Sequence, residues 1–147
     1  DMMLQKTTEL GIKKFVPLLC QRSIVREINI ERARKIVTEA SEQSNRISVP
    51  EISKIQSLQD FIKSFPKNGQ IFFCDINSKL NKIDFNSLKK NPICILIGPE
   101  GDFSEDERQL IVDNEKSMPI SLAKNILRAE TAAITATTIL TYNLNFK

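Results

Sequence analysis

Apolar residues fall along this chain in two patterns that alternate: a helical spacing of three and four, and short continuous runs. Met2 to Leu10 has the helical spacing, and Gly11 supplies a stop after it. Phe15 to Cys20 reads as a strand, with Pro17 awkward at a central position. Asn29 can cap a long helix from about Ile30 to Ser44, with Ala33, Ile36, Val37 and Ala40 on one face. A short strand near Glu51 to Ile55 follows Pro50. Ser57, with Asp60 three residues on, opens a helix to about Phe65. The runs Gln70–Ile76, unbroken in apolar residues from Ile71 to Cys74, and Ile93–Ile97 are the mark of strands buried on both faces of a parallel sheet. Ser104-Glu105-Asp106-Glu107 reads as a capping box whose acids suit a helix start. Pro119–Leu122 is a last short strand, and Arg128 to about Asn143 a last helix rich in Ala and Thr. Strands alternating with helices, without repeat or linker, predict one α/β domain over residues 1–147 around a mainly parallel sheet flanked by helices.

Composition narrows the chemistry. At 147 residues, 41% hydrophobic and 27% charged, the chain is a soluble globular type with enough length for a real core. Its apolar runs are far too short to cross a bilayer, which excludes a membrane role, and no signal-peptide pattern opens it. The start at Asp1, already in a helical pattern, predicts a natural N-terminal part ahead of it. Three cysteines in or beside strands read as reduced structural thiols, which places the protein in a reducing cytoplasm. With no histidine and no Cys-x-x-Cys, a zinc site has almost no ligands, and Ser-His-Asp or Cys-His catalysis is excluded. Proton transfer must then use Asp, Glu, Lys, Tyr, a thiol, backbone or water.

The net charge of +3 is unevenly spread. Lys13, Lys14, Arg22, Arg26, Arg32, Arg34 and Lys35 face only Glu27 and Glu31 over that stretch, a local balance of +5. Between Glu100 and Lys116 the balance is −5, and the capping box accounts for much of it. A basic patch on a near-neutral domain suggests phosphate contacts, as well as being compatible with a merely solvated face.

Two turns follow strands and precede helices, where open α/β sheets bind ligands. The first, Ile97-Gly98-Pro99-Glu100-Gly101-Asp102-Phe103-Ser104, holds two of only four glycines. It is neither a Walker A loop nor a Gly-x-Gly-x-x-Gly fingerprint, so alone it is equally well a tight turn. The second, Leu122 to Ala132, puts Arg128, Glu130 and Thr131 in a first helical turn. An Arg there opposes the helix dipole, a local misfit of the kind functional positions show, although a pairing with Glu130 or Glu100 would also explain it. The polar helix end Glu39 to Arg46 and the trio Lys6, Thr8 and Glu9 are chemically capable but weak signals by themselves.

Taken in order, these stretches resemble one family. Gln5-Lys6-Thr7-Thr8-Glu9-Leu10-Gly11, Pro17-Leu18 with Arg22-Ser23, Glu39-Ala40-Ser41-Glu42-Gln43-Ser44 with Arg46, Val49-Pro50-Glu51-Ile52, Leu96 to Gly101 with Phe103-Ser104, and Ile126 to Ala132 cover nearly the whole chain. The set resembles the catalytic domain of the RsmE family, the 16S ribosomal RNA uridine N3-methyltransferases of the SPOUT superfamily. The resemblance implies a SPOUT-type fold with a C-terminal deep trefoil knot, a homodimer, and S-adenosylmethionine as cofactor with S-adenosylhomocysteine as product. It also implies a PUA-like N-terminal domain in relatives, absent from this chain, without which RNA binding and turnover are expected to be weak.

By position, the resemblance assigns the cofactor to Ile97, Gly98, Pro99, Glu100, Gly101, Leu122, Ile126, Leu127, Thr131 and Ala132, with the loop after Cys74 closing the pocket. Arg128 would stabilise the uridine anion, while Glu130, Glu100 or water would take the N3 proton. Lys13, Lys14, Arg22, Arg26, Arg32, Arg34 and Lys35 would form a phosphate track, with Arg46 nearer the pocket. Two departures stand out: Asp102 where the family commonly has Gly, and Ala123-Lys124-Asn125 in place of Gly-Pro-Arg or similar. A SPOUT enzyme for another RNA, a non-catalytic RNA-binding SPOUT-like domain and a dimerisation module are the competing readings.

Overall fold

The structure, a computed structural model, describes all residues except 25, 80–82, 86, 87, 89–91, 146 and 147. Helix α1 (Met2–Glu9) ends in a Schellman turn: Gly11, at φ 102°, donates its N–H to the Thr8 carbonyl at 3.0 Å, and Ile12 donates to Thr7 at 3.1 Å. The predicted strand at Phe15–Cys20 is split by Pro17 into β1 (Lys14–Phe15) and β2 (Leu18–Leu19). These pair in parallel with β3 (Glu51–Ile52) and β4 (Gln56–Ser57), a strand the sequence pattern did not separate from the helix behind it. Lys14 faces Glu51 but Leu18 faces Gln56, so one extra residue on the second strand makes a bulge between the two pairings. Proline has no N–H to offer there, yet its carbonyl still accepts from Gln56 at 3.2 Å.

Helix α2 (Ile30–Gln43) starts where Asn29 Oδ1 accepts the Arg32 N–H at 2.9 Å, and α3 (Leu58–Ser64) where Ser57 Oγ accepts from Asp60 at 3.0 Å. Strands β5 (Gln70–Cys74), β6 (Ile93–Leu96) and β7 (Ser117–Ile120) form a three-stranded, all-parallel sheet in the order β6-β5-β7. Helix α4 (Glu105–Val112) connects β6 to β7, and α5 (Ala129–Asn145) closes the chain, packing on α1, which also packs on α2. The parallel architecture expected from the sequence is therefore present, as one three-stranded sheet and two short two-stranded pairings rather than one continuous sheet.

Strand β5 is central, and its two faces feed two cores. Ile71 and Phe73 pack with Leu58, Phe61, Phe103 and Ile111; Phe72 packs with Ile120 and Leu140 on the other side. Both faces are apolar because helices cover both, which is why the run showed no period of two. Burial pushes the Cys94 and Cys74 thiols up to about 12, and burial together with the Glu107 charge pushes Cys20 up to about 11. All three cysteines are free.

Two outcomes follow. Phe72→Ala, at a residue with no solvent exposure, removes about 3–5 kcal/mol of stability in urea denaturation. At pH 8 the folded protein alkylates slowly with iodoacetamide at all three thiols and rapidly in urea, because each thiolate is disfavoured only while the fold holds.

Candidate active site

Because β6, β5 and β7 run parallel, their carboxyl ends lie at one edge of the sheet. The pairings Phe73–Leu96 and Cys74–Ile120 bring the three ends into step. Each end runs straight into one of the predicted segments: Asp75 onward after β5, Ile97–Gly101 after β6, and Ser121–Arg128 after β7. Of the loop after Cys74, residues 80–82, 86, 87 and 89–91 lie outside the described residues.

The Gly98–Gly101 turn is closed by the Asp102 N–H donating to the Pro99 carbonyl at 2.9 Å. A Cβ on Gly98 would meet the Phe103 ring at 3.1 Å, and one on Gly101 would meet Arg22 Cβ and its carbonyl at 3.3 Å. At both positions a side chain would push these neighbours aside by a few tenths of an ångström. Asp102 sits at φ 60°, in the left-handed region that favours glycine, and its Oδ1 accepts the Phe103 N–H at 2.8 Å. The short polar side chain thus offsets part of the strain of standing at this position. Ala123 has no positive φ among the described residues, so that departure carries no backbone strain.

Behind the turn, α4 opens on the capping box foreseen from the sequence. Ser104 Oγ accepts from Glu107 N at 3.2 Å, and Glu107 Oε2 accepts from Ser104 N at 3.0 Å. The other oxygen of Glu107 accepts from Gln21 N at 2.8 Å. One buried carboxylate thereby ties the helix start to the turn after β2, and Arg22 Nη1 donates to the Gly101 carbonyl at 3.3 Å. The Gln21 bond spans 86 residues of sequence and has no local signal.

In the third segment Leu122 and Leu127 are half-buried, Ile126 is 85% exposed, Thr131 is exposed and Ala132 buried. Among the described residues, the N–H groups of Leu122 to Leu127 donate to no acceptor in the chain. Ile97, Gly98 and Pro99 are half-buried, Glu100 and Gly101 exposed. Arg128 lies exposed just before α5, where its carbonyl accepts the Ala132 N–H at 2.9 Å; Glu130 is half-buried in the first turn. Among the described residues Arg128 makes no ion pair, so neither Glu130 nor Glu100 neutralises it.

The basic residues are placed unequally. Lys13, Arg26 and Arg34 are exposed without an ion pair among the described residues. Lys14 pairs with Glu51 at 3.0 Å, Arg32 with Asp1, and Lys35 with Glu39 at 3.9 Å, all exposed pairs of little energetic weight. Arg46 is half-buried and donates to the carbonyls of Thr8 and Ile12, the latter at 2.8 Å, so it clasps the end of α1.

With this geometry in place, comparison with known proteins is decisive. A model of the RNA methyltransferase domain matches residues 1–141. The chain belongs to that family. Relatives named ribosomal RNA small subunit methyltransferase E include one from Rickettsia conorii, 42% identical over 133 residues (88% of this chain, 53% of the relative). Another, from Aquifex aeolicus, is 34% identical over 145 residues (95% and 61%). The chain thus spans between half and two thirds of these methyltransferase E relatives. Among solved structures, the methyltransferase E of Neisseria gonorrhoeae bound to S-adenosylmethionine superposes with a TM-score of 0.85 at 29% identity (96% of this chain, 59% of that one). A Legionella pneumophila protein with bound S-adenosylmethionine gives 0.81 at 30% identity (96% and 60%).

The strained turn yields a prediction. Asp102→Ala keeps the left-handed backbone but loses the acceptor for Phe103, and costs about 1–2 kcal/mol. Asp102→Gly, which relieves the strain, stays within about 1 kcal/mol of the parent in the same urea denaturation.

Proposed function

We propose that this chain is the methyl-transferring domain of an S-adenosylmethionine-dependent enzyme acting on N3 of a uridine in small-subunit ribosomal RNA. The observation that carries the reading is the meeting of the three strand-end loops at one edge of the parallel sheet. There, six consecutive N–H groups from Leu122 to Leu127 have no acceptor among the described residues, beside half-buried Ile97, Leu122 and Leu127. Unpaired backbone donors next to apolar walls suit a nucleoside, which offers acceptors along one edge and a flat face to bury. The S-adenosylmethionine bound by the Neisseria and Legionella relatives supports that choice of nucleoside.

Bound there, S-adenosylmethionine would supply an electrophilic methyl group. The chain's own residues do the rest. Gly98–Gly101 and Leu122–Leu127 hold and orient by backbone contacts, with Thr131 and Ala132 behind them. Arg128, just before α5 and without an ion pair among the described residues, stabilises the negative charge that develops on uridine as N3 loses its proton. Glu130 or Glu100, or a water, receives that proton. Lys13, Arg26 and Arg34, unpaired among the described residues, are the strongest phosphate contacts of the basic set, and Arg22 presents its charge beside Gly101.

The domain works as a homodimer in the cytoplasm, its C-terminal loops threaded as a deep trefoil knot. The exposed apolar Ile126 and Tyr142 support the dimer, and the superposition on the Neisseria methyltransferase E supports the fold. No helix among the described residues is long and apolar enough to cross a membrane.

The test is single-turnover transfer of a labelled methyl group to small-subunit ribosomal RNA with protein in excess. Label appears at uridine N3, and Arg128→Ala slows the step by about 100-fold or more while S-adenosylhomocysteine affinity changes little. Label on another atom, or full speed with Arg128→Ala, contradicts the assignment.

A further inference from the structure

Asp75 is the first residue beyond β5, and it is 7% exposed. Buried carboxylates are retained only where their hydrogen bonds are met. Here two parts of the site meet the carboxylate, and a third accepts the backbone N–H of the same residue. The Asp75 N–H donates to the Ile120 carbonyl at 2.9 Å, extending the β5–β7 pairing to the last residue of β7. Its Oδ1 accepts the Asn77 N–H at 2.9 Å, and its carbonyl accepts the Ser78 N–H at 3.1 Å, which curls the loop after β5 back on itself. The Ser78 hydroxyl donates to the Pro119 carbonyl at 3.0 Å and fastens that curl to β7. Its Oδ2 takes Arg108 Nη2 at 2.7 Å, and Arg108 stands on α4, the helix entered directly from the Gly98–Gly101 turn.

We propose that Asp75, held by Arg108, is a positioning residue that locks the loop after β5, the Gly98 turn through α4 and the end of β7 into one frame, so that cofactor affinity depends on a pair that need not touch the cofactor. The proposal rests on the cofactor reading above. An ion pair kept for stability alone needs no such placement. This one lies at the edge where the three segments meet, and its carboxylate serves two of them while its own N–H serves the third. The hydrogen bond and charge of Asp75 raise the Arg108 pKa. Its Nε is buried without a partner among the described residues, so Asp75 is the anchor that holds the guanidinium in place.

Calorimetric titration with S-adenosylhomocysteine of the parent, Asp75→Asn, Arg108→Met, Arg108→Lys and the Asp75→Asn/Arg108→Met double variant tests this, alongside amide hydrogen exchange. Each of the two disruptive single changes weakens binding by about tenfold, and the double change costs no more than either alone, because misplacing one frame is a single event. Arg108→Lys, which keeps the charge without the fork, recovers part of the loss. Exchange at Asn77 and Ser78 accelerates in Arg108→Met while Phe72 stays protected. Additive losses, or unchanged exchange and affinity in Arg108→Met, overturn the proposal. If the folded parent binds no S-adenosylhomocysteine, the cofactor reading has failed; the frame itself is then decided by exchange, faster at Asn77 and Ser78 in its favour and unchanged against it.

Discussion

The parallel pairing of β5 with both β6 and β7 is the constraint on which the site depends. Antiparallel pairing would send one strand end to the far side of the domain. With all three strands parallel, and with Cys74 in step with Ile120 and Phe73 with Leu96, three loops are delivered to one edge. The connections this demands must cross over a sheet face, and α4 does so between β6 and β7. Covering both faces makes β5 apolar throughout, from Ile71 to Phe73. Burial on both faces and the meeting of the three loops are thus consequences of one pattern of backbone hydrogen bonds.

Around that edge, carboxylates serve as fasteners. Glu107 caps α4 with one oxygen and holds the turn after β2 with the other. Asp75 extends the β5–β7 pairing and reaches α4 through Arg108. Each turns a local structural requirement into a long-range tie. The backbone donors of Leu122–Leu127, by contrast, are left without acceptors among the described residues, on the segment next to Arg128. Open backbone donors on a segment delivered to the strand ends, where α/β sheets bind ligands, suit a binding site.

Much of this was legible in the sequence. Asn29, Ser57 and the Ser104–Glu107 box marked helix starts because capping is a local event, with donor and acceptor within three residues. Gly11 marked the end of α1 for the same reason. The buried strands showed themselves by unbroken apolar runs. Pro17 gave warning of a defect, but not that the ladder would resume beyond it with a one-residue bulge, because register depends on the partner strand. The glycine turn was identified, while the reason for its glycines lay in Phe103 and Arg22. Glu107–Gln21 and Asp75–Arg108 left no trace in local spacing, since their partners are 86 and 33 residues away. The one cue for Asp75 was a carboxylate abutting an apolar strand at its carboxyl end.

The central claim is that a nucleoside cofactor sits among three loops at one sheet edge. Mapping backbone amide shifts by NMR as S-adenosylhomocysteine is added to the labelled protein tests it most directly. The account predicts a contiguous set of perturbed amides at Asp75–Ser78, Ile97–Gly101 and Leu122–Ala132, saturating at one ligand per chain. Perturbation centred instead on the open depression of about 620 Å³ between Gln21, Arg26, Gln59 and Leu110, or no perturbation in a folded protein, would contradict it.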